Sequence, residues 1–292
     1  MMNNNRFHNL TPALICWTLL CIIIISACIL RLGLVDVPLQ RDEGEYAYAG
    51  QLILNGIVPY KEVHNMKLPG IYAAYACILK VFGETHQGIH FALIIINIIT
   101  GFFIFLMARR LLDRTAALSA VSIFLLLSTG RYIQGIYANS EHFVILFATI
   151  GIYLLIANQE RKHLRFFLPG LILGIAFIMK QHGAVFLLFG SVYIVFLYLA
   201  VYKNGWKEMI KQLVFFIIGG VSPYLVVCCI FFVTGAFNDF WFCLSISSDC
   251  LRGPISRPKA SIYLFSLINK KLHLNSFCKI FPLLVVSSVS KI

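Results

Sequence analysis

Acidic and cationic side chains are concentrated in one polar stretch, VDVPLQRDEGEYAYAGQLILNGIVPYKEVHNMKLPG, at residues 35–70. It contains five of the chain's 12 acids, among them the adjacent pair Asp42 and Glu43, and it ends in a cationic turn at Lys67. A carboxylate can take a proton from a hydroxyl group. A lysine beside a Pro-Gly turn can bind a phosphate and offset charge on a leaving phosphate. These residue types together suit group transfer from a phosphorylated donor.

A structural explanation accounts for part of the same pattern. Asp42 is a favourable helix N-cap, and Glu45 stands three residues later, as in a capping box. Gly56 and Pro59 then predict the end of that helix. Ordinary solvated loop charges are a further alternative. Capping does not explain the cationic turn at Lys67, so the chemical interpretation stays beside the structural ones.

The elements that position these residues are membrane helices. Of the 292 residues, 60% are hydrophobic and 12% charged, and the mean hydropathy is +0.85. A soluble domain is about half apolar and about a quarter charged. The net charge of +12 lies between apolar runs, which favours membrane topology over nucleic-acid binding. The nine cysteines include no CxxC and no metal-ligand spacing, and most lie within apolar runs.

The expected fold is therefore an all-α polytopic membrane protein with about seven transmembrane helices. The predicted spans lie at about 14–30, 89–108, 115–133, 142–157, 166–180, 183–202 and 213–233. The segment GIYAAYACILKVF, residues 70–82, is too short to span comfortably and is interrupted by Lys80. We predict that it is a helix at the membrane surface.

Basic residues orient these helices if residues 70–82 do not span. Three basic clusters then lie on the same side as the N-terminus, which the positive-inside rule makes cytosolic: Arg109/Arg110/Arg114, Arg161/Lys162/Arg165 and Lys203/Lys207/Lys211. The outer side then carries residues 35–88, about 134–141, 180–182 and 235–242. The expected location is a bacterial plasma membrane, as a multi-pass integral protein.

The loop RDEGEYAYAGQLILNGIVPYKEVHNMKLPG, residues 41–70, resembles the first-loop signature of the GT-C superfamily of glycosyltransferases. It is similar in particular to the dolichyl-phosphate-mannose protein mannosyltransferase-like and lipid A aminoarabinose transferase-like branch. Those proteins carry an Asp-Glu pair after the first span, a Gly-x-x-Pro-Tyr-like turn and a Lys-Pro-Pro-Gly-like turn. The resemblance continues through LMARRLLDRTAALSAVSIFLLLSTGRYIQGIYANSEHF and LGIAFIMKQHGAV, and covers about residues 14–242.

The resemblance implies transfer of a sugar from a polyprenyl-phosphate donor to a hydroxyl of a glycan, lipid or protein acceptor on the extracytoplasmic face. Asp42 matches the proposed catalytic base, and Glu43 matches its acidic neighbour. Glu141 matches a second acidic position in the next outer loop. Lys67 matches the lysine that contacts the donor phosphate, and Lys180 matches the lysine of a K-x-x-G turn. The expected partners are the donor, the acceptor and membrane lipid, without nucleic acid.

Two positions depart from the family pattern. Leu68 replaces the first proline of the double-Pro turn, which is expected to loosen it. Met66 stands where some relatives carry an acid that can ligate a metal, so we assign no metal ligand and leave the cofactor unknown, with a divalent metal as an open alternative. His64 and His182 are the remaining candidate ligands, although lone histidines are more often polar surface residues.

The predicted domain organisation is a GT-C-like transmembrane module at residues 1–242 and an atypical tail at 243–292. The tail is richer in Ser and Lys, and its apolar runs are broken. We interpret it as a truncated or frameshifted end, or as a small extension. A non-catalytic remnant of a longer enzyme is therefore the alternative function. A transporter is disfavoured, because few polar residues such as Asn97 occur within the spans and no related halves are seen.

Overall fold

The computed structural model describes residues 4–62, 65–157, 166–201 and 205–245. Within these ranges the secondary structure is helical, without strands. The helices are α1 (Asn4–Leu32), α2 (Arg41–Leu54), α3 (Pro59–Glu62), α4 (Gly70–Phe82), α5 (His86–Leu111), α6 (Arg114–Leu127), α7 (Ser140–Ala157), α8 (Phe167–Met179), α9 (Ala184–Phe196), α10 (Trp206–Val233) and α11 (Phe237–Ser245). A 3₁₀ turn (Gln181–Gly183) precedes α9. The predicted tail lies outside the described residues except for its first three positions.

Five helical stretches are long and apolar enough to cross a membrane, so the prediction of an all-α polytopic membrane protein is confirmed. They are Leu14–Leu32, His86–Leu111, Ser140–Ala157, Gln181–Val201 and Trp206–Val233. The other two predicted spans are the shorter helices α6 and α8, of 14 and 13 residues. At a rise of about 1.5 Å per residue, helices of that length cover only about 20 Å of a hydrocarbon core about 30 Å thick.

One end of the helix bundle collects the segments that the charge pattern assigns to the outer side. At the end of α1, the Arg31 guanidinium donates to the Ser128 carbonyl oxygen, which follows α6, at 2.6 Å. Lys180, which follows α8, pairs with Glu141 in the first turn of α7. We call this end of the bundle, where α1, α6 and α8 finish and α7 begins, the site end.

The opposite end of the bundle carries the basic residues that finish α5. The Arg110 guanidinium donates to the carbonyl oxygen of Ala157, the last residue of α7, at 3.1 Å. Arg109 lies over the ring of Trp17, 5.2 Å from its centroid. Arginine near a helix C-terminus satisfies carbonyl groups that have no partner within the helix. The first basic cluster is therefore at the end of the bundle that does not carry the acidic loop.

Helix α4 begins and ends at the site end. At its start, a Cβ atom on Gly70 would lie 2.5 Å from the Ile178 carbonyl oxygen, so only glycine allows this approach to α8. After its last turn, Glu84 accepts a hydrogen bond from Gln51 of α2 at 2.8 Å. Helix α5 then starts at His86. The 13-residue α4 therefore packs across the bundle end without passing through it.

A fully buried tyrosine cluster joins α2, α3 and α4. Its members are Tyr46, Tyr60, Tyr72 and Tyr75. The Tyr46 ring contacts those of Tyr72 and Tyr75, with centroids 6.2 and 5.3 Å apart. Buried tyrosines combine a large apolar surface with a hydroxyl that needs a polar partner. This cluster is the core on which the polar site residues are mounted.

Candidate functional site

Helix α2 begins two residues earlier than the capping pattern predicts. Its N-cap is Gln40, whose backbone N–H donates to the Glu43 carboxylate at 2.8 Å. The prediction that Asp42 is the N-cap and Glu45 its box partner is therefore wrong. Glutamine is an unusual N-cap residue. Its position as the cap depends on Glu43, which accepts from the Gln40 N–H and is itself held by long-range partners. Asp42 and Glu45 consequently lie within the helix and project from it.

Asp42, Glu45 and Tyr46 converge on the amino group of Lys67. The Lys67 Nζ atom is 3.1 Å from Asp42 Oδ2 and 3.7 Å from Glu45 Oε2. It also lies 4.4 Å from the centroid of the Tyr46 ring, in cation–π geometry. Residues three and four apart share one face of a helix, so the spacing on α2 explains the convergence. Sequence reasoning had assigned Glu45 only a capping role.

Neighbouring contacts hold the Lys67 turn in place even though Leu68 replaces a proline. The Tyr60 hydroxyl donates to the Lys67 carbonyl oxygen at 2.5 Å. The side chain of Gln181 donates to the Met66 carbonyl oxygen at 2.6 Å, which joins the turn to the segment after α8. Leu68 itself is buried. The expected loosening of the turn is therefore not seen.

Lys67 is a cation at any physiological pH. Partial burial lowers the pKa of its ammonium, but the hydrogen bonds to Tyr46 and Asp42 and the charge of Glu45 outweigh burial and raise the pKa above its usual value. The Glu45 carboxylate is itself held by hydrogen bonds from the Asn65 amide and, at 3.2 Å, from the Tyr72 hydroxyl. The ammonium is thus fixed in position as well as in charge.

A second ion pair, Glu141 with Lys180, lies beside the first. Lys180 donates a hydrogen bond to the Glu141 carboxylate, and the acid is the more exposed partner, at 57% against 28%. The Ser140 hydroxyl links the pairs: it donates to Glu141 at 3.3 Å and receives a long contact of 3.5 Å from the Tyr46 hydroxyl. The four predicted residues Asp42, Lys67, Glu141 and Lys180 therefore share one polar rim.

Glu43 occupies a different environment from Asp42. Its side chain is fully buried, whereas 46% of the Asp42 side chain is exposed. One Glu43 oxygen accepts a hydrogen bond from the Ala138 backbone N–H at 2.6 Å and lies 3.2 Å from His90 Nε2. The structure does not bring Glu43 to the polar rim. Its partner His90 stands within an apolar run of the sequence. A lone histidine in such a run was a signal for a buried polar contact, and the sequence prediction did not include it.

An apolar cavity of about 350 Å³ adjoins the Lys67 turn. It opens between the end of α2, the start of α4, and helices α8 and α10, and its lining includes Ile53, Pro69, Ala73, Ile178, Val227 and Phe231. A second cavity of about 250 Å³ is lined by residues that include Leu68, Gln181 and Trp241. A cationic turn that also lines an apolar cavity suits an amphiphile with an anionic head.

The residues that the structure describes include no group of three His, Cys, Asp or Glu side chains placed to hold a metal ion. His64 lies outside the described residues, and His182 is exposed in the turn before α9. At the polar rim each of two acids faces a lysine, which occupies the position that a cation would take. These donors do not fit a metal, and the chemistry considered below uses none.

Comparison with known proteins gives one family. Residues 67–233, more than half of the chain, match the sequence profile of the dolichyl-phosphate-mannose-protein mannosyltransferase family. The matched segment begins at Lys67 and includes Glu141 and Lys180, whereas the loop with Asp42 precedes it. No curated protein and no solved structure matches the chain significantly.

Proposed function

Since the chain belongs to the dolichyl-phosphate-mannose-protein mannosyltransferase family of GT-C-type membrane glycosyltransferases, we propose that it transfers a sugar from a polyprenyl-phosphate donor to an acceptor hydroxyl. The acceptor is a glycan, a lipid or a protein. The observation that carries the proposal is the Lys67 ammonium, held 3.1 Å from the exposed Asp42 carboxylate, on a turn whose Pro69 and Gly70 line an apolar cavity. That arrangement supplies a phosphate ligand, a base and a place for a hydrocarbon chain.

The proposed reaction exchanges one bond at the anomeric carbon of the sugar. The acceptor oxygen forms a bond to that carbon as the bond to the phosphate oxygen breaks, and polyprenyl phosphate leaves. Asp42 takes the proton of the acceptor hydroxyl, because its exposed carboxylate is within reach of a substrate at the rim. Lys67 offsets the negative charge that develops on the leaving phosphate.

Donor binding would release the base from its ion pair. Without substrate, Lys67 is bound by Asp42 and by Glu45. A phosphate that reaches the Lys67 ammonium would displace the more exposed of these carboxylates, which is Asp42. Glu45 would stay in place, because the Asn65 amide and the Tyr72 hydroxyl also bind it. The base would therefore become free when the donor is in position.

The apolar cavity supports a polyprenyl donor over a soluble sugar nucleotide. Its lining is almost entirely aliphatic and aromatic, and Pro69 and Gly70 of the Lys67 turn form part of the wall. A phosphate at Lys67 would place the first isoprene units of the same molecule beside that wall. Burial of each methylene group there contributes about 0.8 kcal/mol to binding.

A transporter receives no support from the buried polar residues of the spans. Asn97 is buried within α5, and its amide donates to the Leu93 carbonyl oxygen of the same helix at 2.9 Å. Thr100 and Thr149 likewise donate to carbonyl groups one turn earlier. These contacts satisfy the side-chain donors within their own helices, although the Asn97 Oδ1 atom has no partner among the described residues.

The test is transfer by the purified chain in detergent or nanodiscs, with a panel of polyprenyl-phosphate sugars and a mixture of membrane acceptors. We expect release of polyprenyl phosphate from at least one donor, dependent on acceptor. A donor that binds without release would identify the chain as a non-catalytic member of the family. Failure of every polyprenyl-phosphate sugar to bind would contradict the proposal.

A further inference from the structure

The buried pair of Glu43 and His90 takes no part in the reaction proposed above. Their side chains are 0% and 3% exposed, so neither can touch a substrate at the rim. Glu43 lies on α2, next in the chain to Asp42, and His90 lies near the start of α5. Burial of two ionisable groups in a membrane protein is costly unless they are paired and hydrogen-bonded. The contacts of Glu43 and His90 meet this condition and indicate a structural role.

The imidazole of His90 is held between two acceptors. Its Nδ1 atom is 2.9 Å from the Val35 carbonyl oxygen, which can only accept, so Nδ1 carries a proton. Its Nε2 atom is 3.2 Å from Glu43 Oε1. Glu43 already accepts hydrogen bonds from the backbone N–H groups of Gln40 and Ala138. The Glu43 carboxyl group is therefore held by three hydrogen bonds, one of which it shares with His90.

The Glu43 carboxylate connects the two segments that carry the acids of the rim. Through Gln40 it fixes the first turn of α2, which holds Asp42. Through the Ala138 N–H it fixes the segment that enters α7 three residues before Glu141. His90 sets the orientation of this carboxylate and ties it to Val35, at the end of the turns after α1.

We propose that His90 is a positioning residue for sugar transfer, which acts through Glu43 to set Asp42 relative to Glu141. The inference rests on the proposed function. Another contact holds the same segment independently, because the Tyr75 hydroxyl donates to the Ala138 carbonyl oxygen at 2.7 Å. Loss of His90 should therefore misplace the two acids without detaching the segment.

The test variant is His90→Phe, which keeps a ring of similar size and removes both hydrogen bonds. We expect kcat to fall about 10- to 100-fold, as for loss of a group that orients a reacting carboxylate. KM for the donor should change less than about threefold, because Lys67 and the apolar cavity are untouched. His90→Gln should restore part of kcat, since its amide NH₂ can donate to Glu43 in place of the imidazole Nε2.

The matched control is Tyr75→Phe. It removes a bond to the same residue, Ala138, and leaves every contact of Glu43 in place. An equal fall of kcat in Tyr75→Phe and His90→Phe would overturn the inference, because general anchoring of the segment would then explain both. Unchanged kcat in His90→Phe would also overturn it.

Hydrogen–deuterium exchange separates this inference from the proposed function. The Gln40 and Ala138 amides donate to Glu43. They should exchange several-fold faster in His90→Phe, with the folded protein retained on gel filtration. If the wild-type chain shows no transfer, the proposed function fails and exchange alone decides the positioning role. Unchanged exchange in that case would overturn the inference.

Discussion

At the residue scale, the candidate site depends on the ion pair of Asp42 with Lys67, which is weak enough for a phosphate to replace Asp42. Asp42 is 46% exposed and Lys67 21% exposed, so solvent screens their attraction. Pairs of this kind contribute about 0–1 kcal/mol. A phosphate that approaches Lys67 can therefore displace Asp42 at small cost. The buried pair of Glu43 and His90 has the opposite character, since it is closed to solvent and built to stay in place.

The first prediction concerns the base. Asp42→Asn should lower kcat for transfer about 100-fold or more, because the amide cannot take the proton of the acceptor hydroxyl. Donor affinity should be retained, since Lys67 remains. Asp36→Asn is the matched control, because Asp36 is an exposed acid of the same loop that accepts a hydrogen bond from the Gln87 side chain at 3.2 Å. Full activity of Asp42→Asn would remove Asp42 from the mechanism.

The second prediction concerns the phosphate ligand. Lys67→Met keeps the apolar stem but removes the charge, and it should raise donor KM about tenfold or more, equivalent to about 1.4 kcal/mol of binding. Lys61→Met, an exposed lysine on α3, is the control.

The pH dependence of this effect follows from the raised pKa of Lys67. A raised pKa keeps the cation fully present at lower pH, and the charge is lost only as the pH rises through a value above 10.5. The ratio of donor KM values for Lys67→Met and wild type should therefore be constant from about pH 6 to about pH 9. A ratio that collapsed toward one within this range would contradict the assignment.

At the element scale, glycines let α8 pack closely against α10. A Cβ on Gly174 would overlap the Gly220 carbonyl oxygen and lie 2.9 Å from the carbonyl carbon. Gly170 is similarly enclosed by Phe216 of α10. Small residues at such positions allow membrane helices to approach closely. Because Lys180 follows α8 directly, this contact also determines where the second ion pair lies.

The third prediction tests that packing. Gly174→Leu should destabilise the protein by about 1–3 kcal/mol or more, because the overlap is with backbone that cannot move aside. Thermal unfolding in detergent measures the loss. Gly205→Ala is the control, since a Cβ there would meet no atom within 4 Å. Equal melting temperatures for Gly174→Leu and wild type would show that the two helices do not pack this closely.

At the scale of the whole molecule, the two opposite ends of the helix bundle differ in their charged residues. The acids and lysines of the rim lie at the site end, whereas Arg109 and Arg110 lie at the other. The positive-inside rule predicts that the arginine end faces the cytosol. The proposed orientation therefore exposes the rim on the extracytoplasmic face, with the N-terminus cytosolic.

The fourth prediction tests this orientation by cysteine labelling. Tyr132→Cys, at a fully exposed position of the site end, should react with a membrane-impermeant maleimide in intact cells. Leu112→Cys, exposed after α5, should react only after permeabilisation. The unmodified chain, with its nine native cysteines, supplies the background. The reverse pattern would place the rim in the cytosol and contradict transfer on the outer face.

The sequence by itself determined the class of the molecule and the composition of its site. Hydrophobic runs require a bilayer whatever their neighbours are, and the acids, Lys67 and the family pattern lie in contiguous segments. The helix at residues 70–82, too short to span, could be predicted because its length and Lys80 are local properties.

Only the tertiary structure decided which of these residues meet. Glu43 and His90 are 47 positions apart, and Glu141 and Lys180 are 39 apart. Local spacing contains no information about such pairs, because they form when separate helices end at the same side of the bundle. The position of the α2 N-cap at Gln40 has the same cause, since Glu43 is held by Ala138 and His90. Burial then distinguished Asp42, open at the rim, from its neighbour Glu43, which long-range partners enclose.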